Sequence, residues 1–350
     1  MWGRNSRSII YRREALAVVG LGWVLIGIYG ALPYWLAGTL DHFADAYFEA
    51  TSGFTTTGAT VIEDVEVVSH GLQFWRMMTH WLGGMGIIVL FTALFAQLGV
   101  GAKQLLRSEV PGPITDALHP KIRETALAMW KIYAAFTAVL SLLLVLLGMS
   151  PFDAICHGFA TMATGGYSNY NSSISHFNSA AIEMVIAMFM FMAGINFTLY
   201  HQVIRGHWRS ASRNSELHVY SGLIFAACAL ITFNTYDHQG ENVWQALRYA
   251  SFQVVSIITT TGFGTDDFDA YPTFSKFILL CLMFVGGCAG STAGGMKVSR
   301  IIVLFKVVYQ EIYQTFRPHM RVATRVGRVV VAPEVSHSIL VFTKIGRAHV

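Results

Sequence analysis

The sequence predicts an all-α polytopic membrane protein built of repeated membrane helix–pore loop–membrane helix units, and three observations carry that prediction. Of 350 residues, 54% are A, V, I, L, M, F, W, Y or C and only 13% are charged, about half the charged fraction of roughly 25% found in soluble domains. Mean hydropathy is +0.49, which implies more apolar surface than a soluble domain of this size can hide. Apolar runs of membrane length also alternate with shorter apolar stretches, three times over and in one orientation. This composition excludes disordered, collagenous, disulfide-rich secreted and ordinary cytosolic enzyme classes.

The runs able to cross about 30 Å of hydrocarbon, which takes about 20 helical residues, are 15–40, 77–100, 125–149, 180–204, 217–236 and 274–310. The last is too long for one simple crossing. Between the members of each pair lies a shorter apolar stretch, at 44–54, 152–162 and 244–257. These are too short to span and have the length of re-entrant segments. The first run follows four arginines and exceeds a signal-peptide core, so it reads as a retained span. Cys156, Cys228, Cys281 and Cys288 fall in apolar segments without a C-x-x-C pair, as small core residues do.

Lysine and arginine set the orientation. Four lie in residues 1–14, four in 101–124, three in 203–216 and seven in 297–328. The opposite loops, 41–72, 150–180 and 237–272, hold only Arg248 against twelve Asp or Glu. The positive-inside rule places the basic set and the N-terminus in the cytoplasm and the acidic set outside. Trp35, Trp75 and Trp244 near the outer ends, with Trp130 and Trp208 near the inner ends, suit interfacial belts. Because the basic residues are spread over four segments, the net charge of +4 forms no patch for nucleic acid.

The short segments end alike. Residues 51–61 read T-S-G-F-T-T-T-G-A-T-V, 160–169 read A-T-M-A-T-G-G-Y-S-N, and 258–267 read I-T-T-T-G-F-G-T-D-D. Aligned on Thr-Gly, they match Thr57-Gly58 with Thr164-Gly165 and Thr261-Gly262, preceded by Thr56, Ala163 and Thr260. The following spans also match, with W-L-G-G-M-G at 81–86, F-M-A-G-I-N at 191–196 and F-V-G-G-C-A at 284–289.

A pore explains this pattern. Non-helical backbone at membrane depth is tolerated only where protein buries it or it lines water. A short helix ending there points its negative dipole end at a cation, and the next carbonyls can replace a hydration shell. Glycine admits conformations that a Cβ penalises. The competing explanation, small residues packing helices closely, accounts for one such loop but poorly for three at matching places.

The chain resembles the TrkH family of bacterial potassium-uptake subunits, in the superfamily that includes the KtrB and plant HKT transporters. The likeness runs from Arg12 to about Phe342 through T-T-T-G-A-T, W-x-G-G-M-G-I-I-V-L and G-G-C-A-G-S-T-A-G-G-M-K. It implies four repeats around a pseudo-fourfold pore, with potassium as the transported ion and no cofactor in this chain. The implied setting is the bacterial cytoplasmic (inner) membrane, as a homodimer with a cytosolic TrkA-type nucleotide-binding regulatory subunit. The implied potassium-binding filter is Thr56, Thr57, Gly58, Ala163, Thr164, Gly165, Thr260, Thr261 and Gly262. Glycine at the first-loop position, here Gly58, goes with potassium rather than sodium in the plant relatives.

Residues 286–295 hold five glycines in ten positions, each costing a helix about 1 kcal/mol relative to Ala. The residues alone leave open a helix-packing ridge, since Gly286, Gly290 and Gly294 form G-x-x-x-G-x-x-x-G. The resemblance implies an intramembrane gate formed by Gly286, Gly287, Gly290, Ser291, Thr292, Gly294 and Gly295.

Other classes fit less well. The same run is no phosphate loop, because Met296 separates Gly295 from Lys297 and a membrane helix precedes it. Nothing pairs a nucleophile with a base as a hydrolase needs, and His157 reads as a hydrogen-bonded structural residue. No enzyme is predicted. A proton- or sodium-coupled cation symporter on the same scaffold stays open, as does a non-conducting scaffold or regulatory subunit. The ionisable candidates within or beside spans are Lys131, Glu183 and Glu49. They form no evident pair, and Glu49 could brace the filter or its helix.

The expected organisation is a cytosolic segment at 1–14, pore repeats at 15–100, 125–204 and 217–316, cytosolic loops at 101–124 and 205–216, and a linker at 317–336. Residues 337–343 should begin a fourth repeat. Filter glycines fall 107 and then 97 residues apart, so a fourth would lie beyond Val350, and the chain is expected to be a fragment that also lacks the family's N-terminal helices. The tail at 344–350, K-I-G-R-A-H-V, resembles a translated sequencing adapter and is expected to be non-native.

Overall fold

The computed structural model describes residues 12–84, 86, 122–239, 242–316, 325–326 and 329–330. Outside them lie most of the segments expected at 1–14, 101–124 and 317–336, the fourth-repeat start at 337–343, the tail at 344–350 and the second half of the 77–100 span. In chain order the described helices are α1 (Arg12–Leu36), α2 (Phe43–Phe54), α3 (His70–Gly84), α4 (Ile122–Leu146), α5 (Pro151–Met162), α6 (Ala180–Ala193), α7 (Phe197–Ile204), α8 (Trp208–Ser212), α9 (Ser215–Gln239), α10 (Val243–Ile258), α11 (Thr273–Met283) and α12 (Val298–Phe316). A two-residue antiparallel pairing of Arg325–Val326 with Val329–Val330 adds strands that the all-α expectation omitted. It is too short to alter the fold class.

Within α4 and α9, Ala126–Leu146 and Ser215–Tyr236 are long and apolar enough to cross a membrane. Their outer faces suit lipid, with Leu146, Phe225 and Phe233 exposed by 73%, 70% and 82%, a surface that water would penalise. The three short helices expected as re-entrant segments are α2, α5 and α10. Capping starts two of them: Ser150 accepts from the Asp153 amide with Pro151 in the first turn of α5, and Asn242 accepts from the Trp244 amide before α10.

One expected span is broken, and the overlong run divides as its length required. The run at 180–204 was expected to form one helix, but it divides into α6 and α7, bent by 91°. Gly194, Ile195 and Asn196 make the break. Asn196 caps α7 by accepting from the Thr198 amide at 2.8 Å. The freed carbonyls of Ala193 and Gly194 accept from the amides of Thr292 and Cys288 at 3.3 and 2.9 Å, so another segment supplies the bonds that the helix forgoes. The run at 274–310 divides into α11, a loop and α12.

The chain forms two compact units. Of the described residues, one unit comprises 12–84, 86, 122–189 and Thr261–Phe263, and the other 190–239, 242–260, 264–316, 325–326 and 329–330. In the first, α1 packs on α2 through small residues. A Cβ on Gly30 would lie 2.5 Å from the Phe54 ring, and one on Gly27 would lie 2.7 Å from Tyr47. Ala31, Tyr34, Ala46, Ala50, Val68 and Leu72 make the adjoining core. In the second, the Ser275 hydroxyl donates to Asn234 Oδ1 at 2.8 Å, joining α11 to α9.

Candidate functional site

Each short helix ends in the same turn. The C-caps are Thr55, Ala163 and Thr259, and the next residue is a left-handed threonine: Thr56 at φ 53°, Thr164 at φ 53° and Thr260 at φ 56°. In the first two, paired bonds close the turn: Thr56 N to Gly53 O and Thr57 N to Ser52 O, then Thr164 N to Thr161 O and Gly165 N to Ala160 O, all 2.9–3.0 Å. This is a Schellman ending with threonine where glycine is usual. The substitution costs about 1–2 kcal/mol per residue. The hydroxyls of Thr164 and Thr260 donate to the preceding carbonyls at 2.6 and 2.7 Å, which partly offsets that cost.

Two residues after each threonine comes a glycine of positive φ: Gly58 at 78°, Gly166 at 80° and Gly262 at 83°. The backbone thus aligns Thr56-Thr57-Gly58 with Thr164-Gly165-Gly166 and Thr260-Thr261-Gly262. In the second loop this is one residue later than the Thr-Gly identity indicated. Ala163 corresponds to the C-cap residues Thr55 and Thr259, and Gly165 to Thr57 and Thr261. Letter identity misled here because the second loop has glycine where the other two have threonine.

Within the first unit, the three turns meet in sequence. A Cβ on Gly58 would lie 2.2 Å from the Gly165 carbonyl oxygen, and one on Gly166 would lie 1.8 Å from the Thr261 carbonyl oxygen. Each glycine therefore admits the next loop's backbone. Gly262 has nothing within 4 Å of its Cβ position among the described residues, and both it and Thr57 are exposed. Gly165 is also closely packed, because its Cβ would lie 2.3 Å from His80 Nδ1.

Behind the first two turns lies a buried polar cluster. Arg76 Nε donates to Glu49 Oε1 at 2.7 Å, and its Nη1 donates to the Ser168 carbonyl at 3.0 Å. Tyr167 is held between Arg76, 3.6 Å from its ring centroid, and the stacked His80 ring at 3.9 Å. At those distances the two cannot share one face of the ring. The Tyr167 hydroxyl lies 3.1 Å from the carbonyl oxygens of Glu49 and Ala59. His157 is bonded through both ring nitrogens, as a structural residue would be. Sequence reasoning passed over Arg76, His80 and Tyr167; the available signal was the polar row Gln73, Arg76 and His80, spaced three and four residues apart in a helix beside an apolar span. Glu183, at the start of α6, is buried within the protein, 3% exposed.

In the second unit, the glycine-rich run is not helical, which excludes a packing ridge on a continuous helix. Gly286 N donates to Met296 O at 2.9 Å, closing the loop at its base, and Gly290 and Gly295 have φ of 75° and 67°. A Cβ on Gly286 would lie 1.9 Å from the Gly294 carbonyl, and one on Gly287 would lie 2.8 Å from the Gly194 carbonyl. The tip is pinned: Gly290 O accepts from Phe197 N at 3.0 Å, and Thr292 Oγ1 donates to Ala193 O at 3.2 Å. Ser291 Oγ donates to Cys288 O at 2.6 Å, and Lys297 Nζ donates to Ala293 O. Glu216, unmarked in the sequence, accepts from the amides of Ala289 and Ser299 at 2.8 and 3.0 Å.

Comparison with known proteins gives the family and the overall fold. The profile of the TrkH family, described as a cation transport protein, matches residues 4–225 and 230–345. The chain is 39% identical to the Trk system potassium uptake protein TrkH of Escherichia coli (strain K12) over 335 residues, 93% of this chain and 68% of that protein. It is 38% identical to the protein of the same name from Halomonas elongata over 342 residues, 96% of this chain and 70% of that one. The crystal structure of the potassium transporter TrkH from Vibrio parahaemolyticus superposes with a TM-score of 0.85 at 34% identity, covering 98% of this chain and 71% of that one. This chain belongs to the TrkH family of cation transport proteins.

Proposed function

We propose that this chain is the membrane-embedded conducting component of a potassium uptake system. The observation that carries the reading is the turn repeated at Thr56–Gly58, Thr164–Gly166 and Thr260–Gly262, each at the C-terminus of a helix too short to span. Helix C-termini favour a cation, and extended or left-handed backbone beyond them offers carbonyls as ligands. The relatives' names, Trk system potassium uptake proteins, support potassium as the ion. Ions are bound through backbone carbonyls of the filter residues, with Gly166 added to the set expected from sequence. A membrane potential of about 100 mV is worth about 2.3 kcal/mol per charge, enough for roughly a fifty-fold gradient without a coupling ion.

The exposed Thr57 and Gly262 mark where a further filter strand fits, from additional residues or another subunit. Such a strand presents a glycine to the Thr57 carbonyl and a carbonyl to Gly262, repeating the contacts already made. The loop from Gly286 to Gly295 is the gate. The same reading includes a homodimer in the bacterial inner membrane, the N-terminus in the cytoplasm and a cytosolic TrkA-type regulatory subunit. The test is rubidium and sodium uptake by the native protein in cells lacking their own potassium uptake. Restored growth at low potassium with rubidium accumulation is expected; sodium uptake without rubidium would refute the reading.

A further inference from the structure

Each short helix carries a buried polar side chain seven residues before its left-handed threonine: Glu49, His157 and Gln253, exposed by 0%, 0% and 4%. An apolar side chain would fill such a position without the cost of desolvating a polar group. Two of the three reach the same place. Thr60 and Ser168 each lie four residues past the left-handed threonine. Thr60 Oγ1 donates to Glu49 Oε1 at 3.0 Å, and the Val61 amide donates to Oε2 at 3.1 Å. His157 Nδ1 lies 2.8 Å from the Asp153 carbonyl, which can only accept, so in the neutral ring that nitrogen carries the proton. Nε2 then accepts from the Ser168 hydroxyl at 3.0 Å. Arg76 joins the two braces by donating to Glu49 and to the Ser168 carbonyl. In the third repeat the residue four past the left-handed threonine is Gly264, which has no side chain to meet Gln253, and Gln253 Oε1 lacks a hydrogen-bond partner among the described residues, so that loop is not braced in this way.

We propose that Glu49, Arg76 and His157 are positioning residues: they hold the first two filter loops in register and thereby set ion selectivity without touching the ion. This rests on the reading of those loops as a filter. A cage of carbonyls discriminates between cations by where its oxygens stand and how freely they move. Among the described residues these loops have no ladder of regular bonds beyond the turn. Charge-assisted hydrogen bonds are the strongest restraint on their position, and here they run unbroken from one loop to the other, buried at Arg76 and part-buried at Thr60 and Val61.

The test uses the native protein in liposomes, with potassium and sodium fluxes compared at one potential, and the melting midpoint of the purified protein in KCl and NaCl. Glu49→Leu combined with Arg76→Leu removes both charges together and leaves neither buried alone. The potassium-to-sodium ratio is expected to fall about tenfold, the loss of roughly one charged hydrogen bond's worth of discrimination, and the potassium-specific gain in melting midpoint should vanish. His157→Leu should lower the ratio likewise, whereas His157→Gln, which can still accept from Ser168, should keep it. A merely structural role reduces the yield of folded protein and leaves ratio and salt-specific melting unchanged; that result overturns the proposal. If the double variant does not fold, the His157 pair decides, and a wild-type ratio in His157→Leu overturns it. A wild type that passes neither ion defeats the conduction reading separately, and the salt-specific melting of the variants still decides whether the braces shape a cation site.

Discussion

The amide of Gly294 donates to the hydroxyl of Thr260 over 2.6 Å, so the glycine-rich loop is bonded to the left-handed threonine of the third repeated turn. The same hydroxyl donates to the Thr259 carbonyl. Moving the loop therefore strips Thr260 of one of its two partners, and a change at Thr260 releases one strand of the loop.

Thr260→Ala is accordingly expected to favour the displaced loop. One hydrogen bond is worth about 1 kcal/mol, which shifts a two-state balance about fivefold. Rubidium uptake at fixed potential should rise by a few-fold, and Thr260→Ser should behave as wild type. Equal uptake in the alanine and serine variants would show that the bond carries no part of gating.

Gly166→Ser should be more damaging than Gly165→Ser, although sequence identity singled out Gly165. Position 166 has φ of 80°, and its Cβ would meet the Thr261 carbonyl at 1.8 Å, whereas at 165 the obstacle is the His80 side chain. The left-handed backbone alone costs a non-glycine residue about 1–2 kcal/mol, before the carbonyl is displaced. Permeability ratios should show a reduced potassium-over-sodium preference for Gly165→Ser, and little or no selective flux for Gly166→Ser. The reverse order would restore the register read from the letters.

Gly290→Leu tests the gate. Its φ is 75°, and a Cβ there would lie 2.9 Å from Asn196 Oδ1, so the side chain strains the loop tip and pushes on the cap of α7. Conduction should change markedly while the filter's ion preference stays the same. Wild-type flux through a normally folded variant would remove the loop from the mechanism.

Glu216 ties the loop to α9 by accepting from the Ala289 and Ser299 amides. Hydrogen bonds to a charged group are worth about 1.5–3 kcal/mol, and Glu216→Ala leaves two buried amides without partners. A melting midpoint several degrees lower is expected, with Glu216→Gln intermediate because its amide oxygen still accepts. A midpoint unmoved by either change would mean that the loop is held by its other contacts alone.

The short helices and the two helices of membrane length, α4 and α9, were legible because apolar run length is a one-dimensional signal; α2, α5 and α10 begin and end within a residue or two of the stretches read for them. The break between α6 and α7 was not legible. F-M-A-G-I-N differs little from an ordinary packing motif, and the bonds that make the break affordable come from residues about a hundred positions away. The repeated turns were found by their letters, yet their register was not: a backbone turn is defined by φ and by bonds at Thr164 and Gly166, and Gly165 imitates the glycine one place on. Glu49 was noticed as a possible brace, but Arg76 and Tyr167 could not be joined to it without the fold.

Glu49, His157 and Gln253 stand at one equivalent position and are three different amino acids. In a ring of identical subunits a single codon would dictate all such positions at once. Within one polypeptide that constraint is absent: each of the three loops can carry its own support, and each can be adjusted without the others.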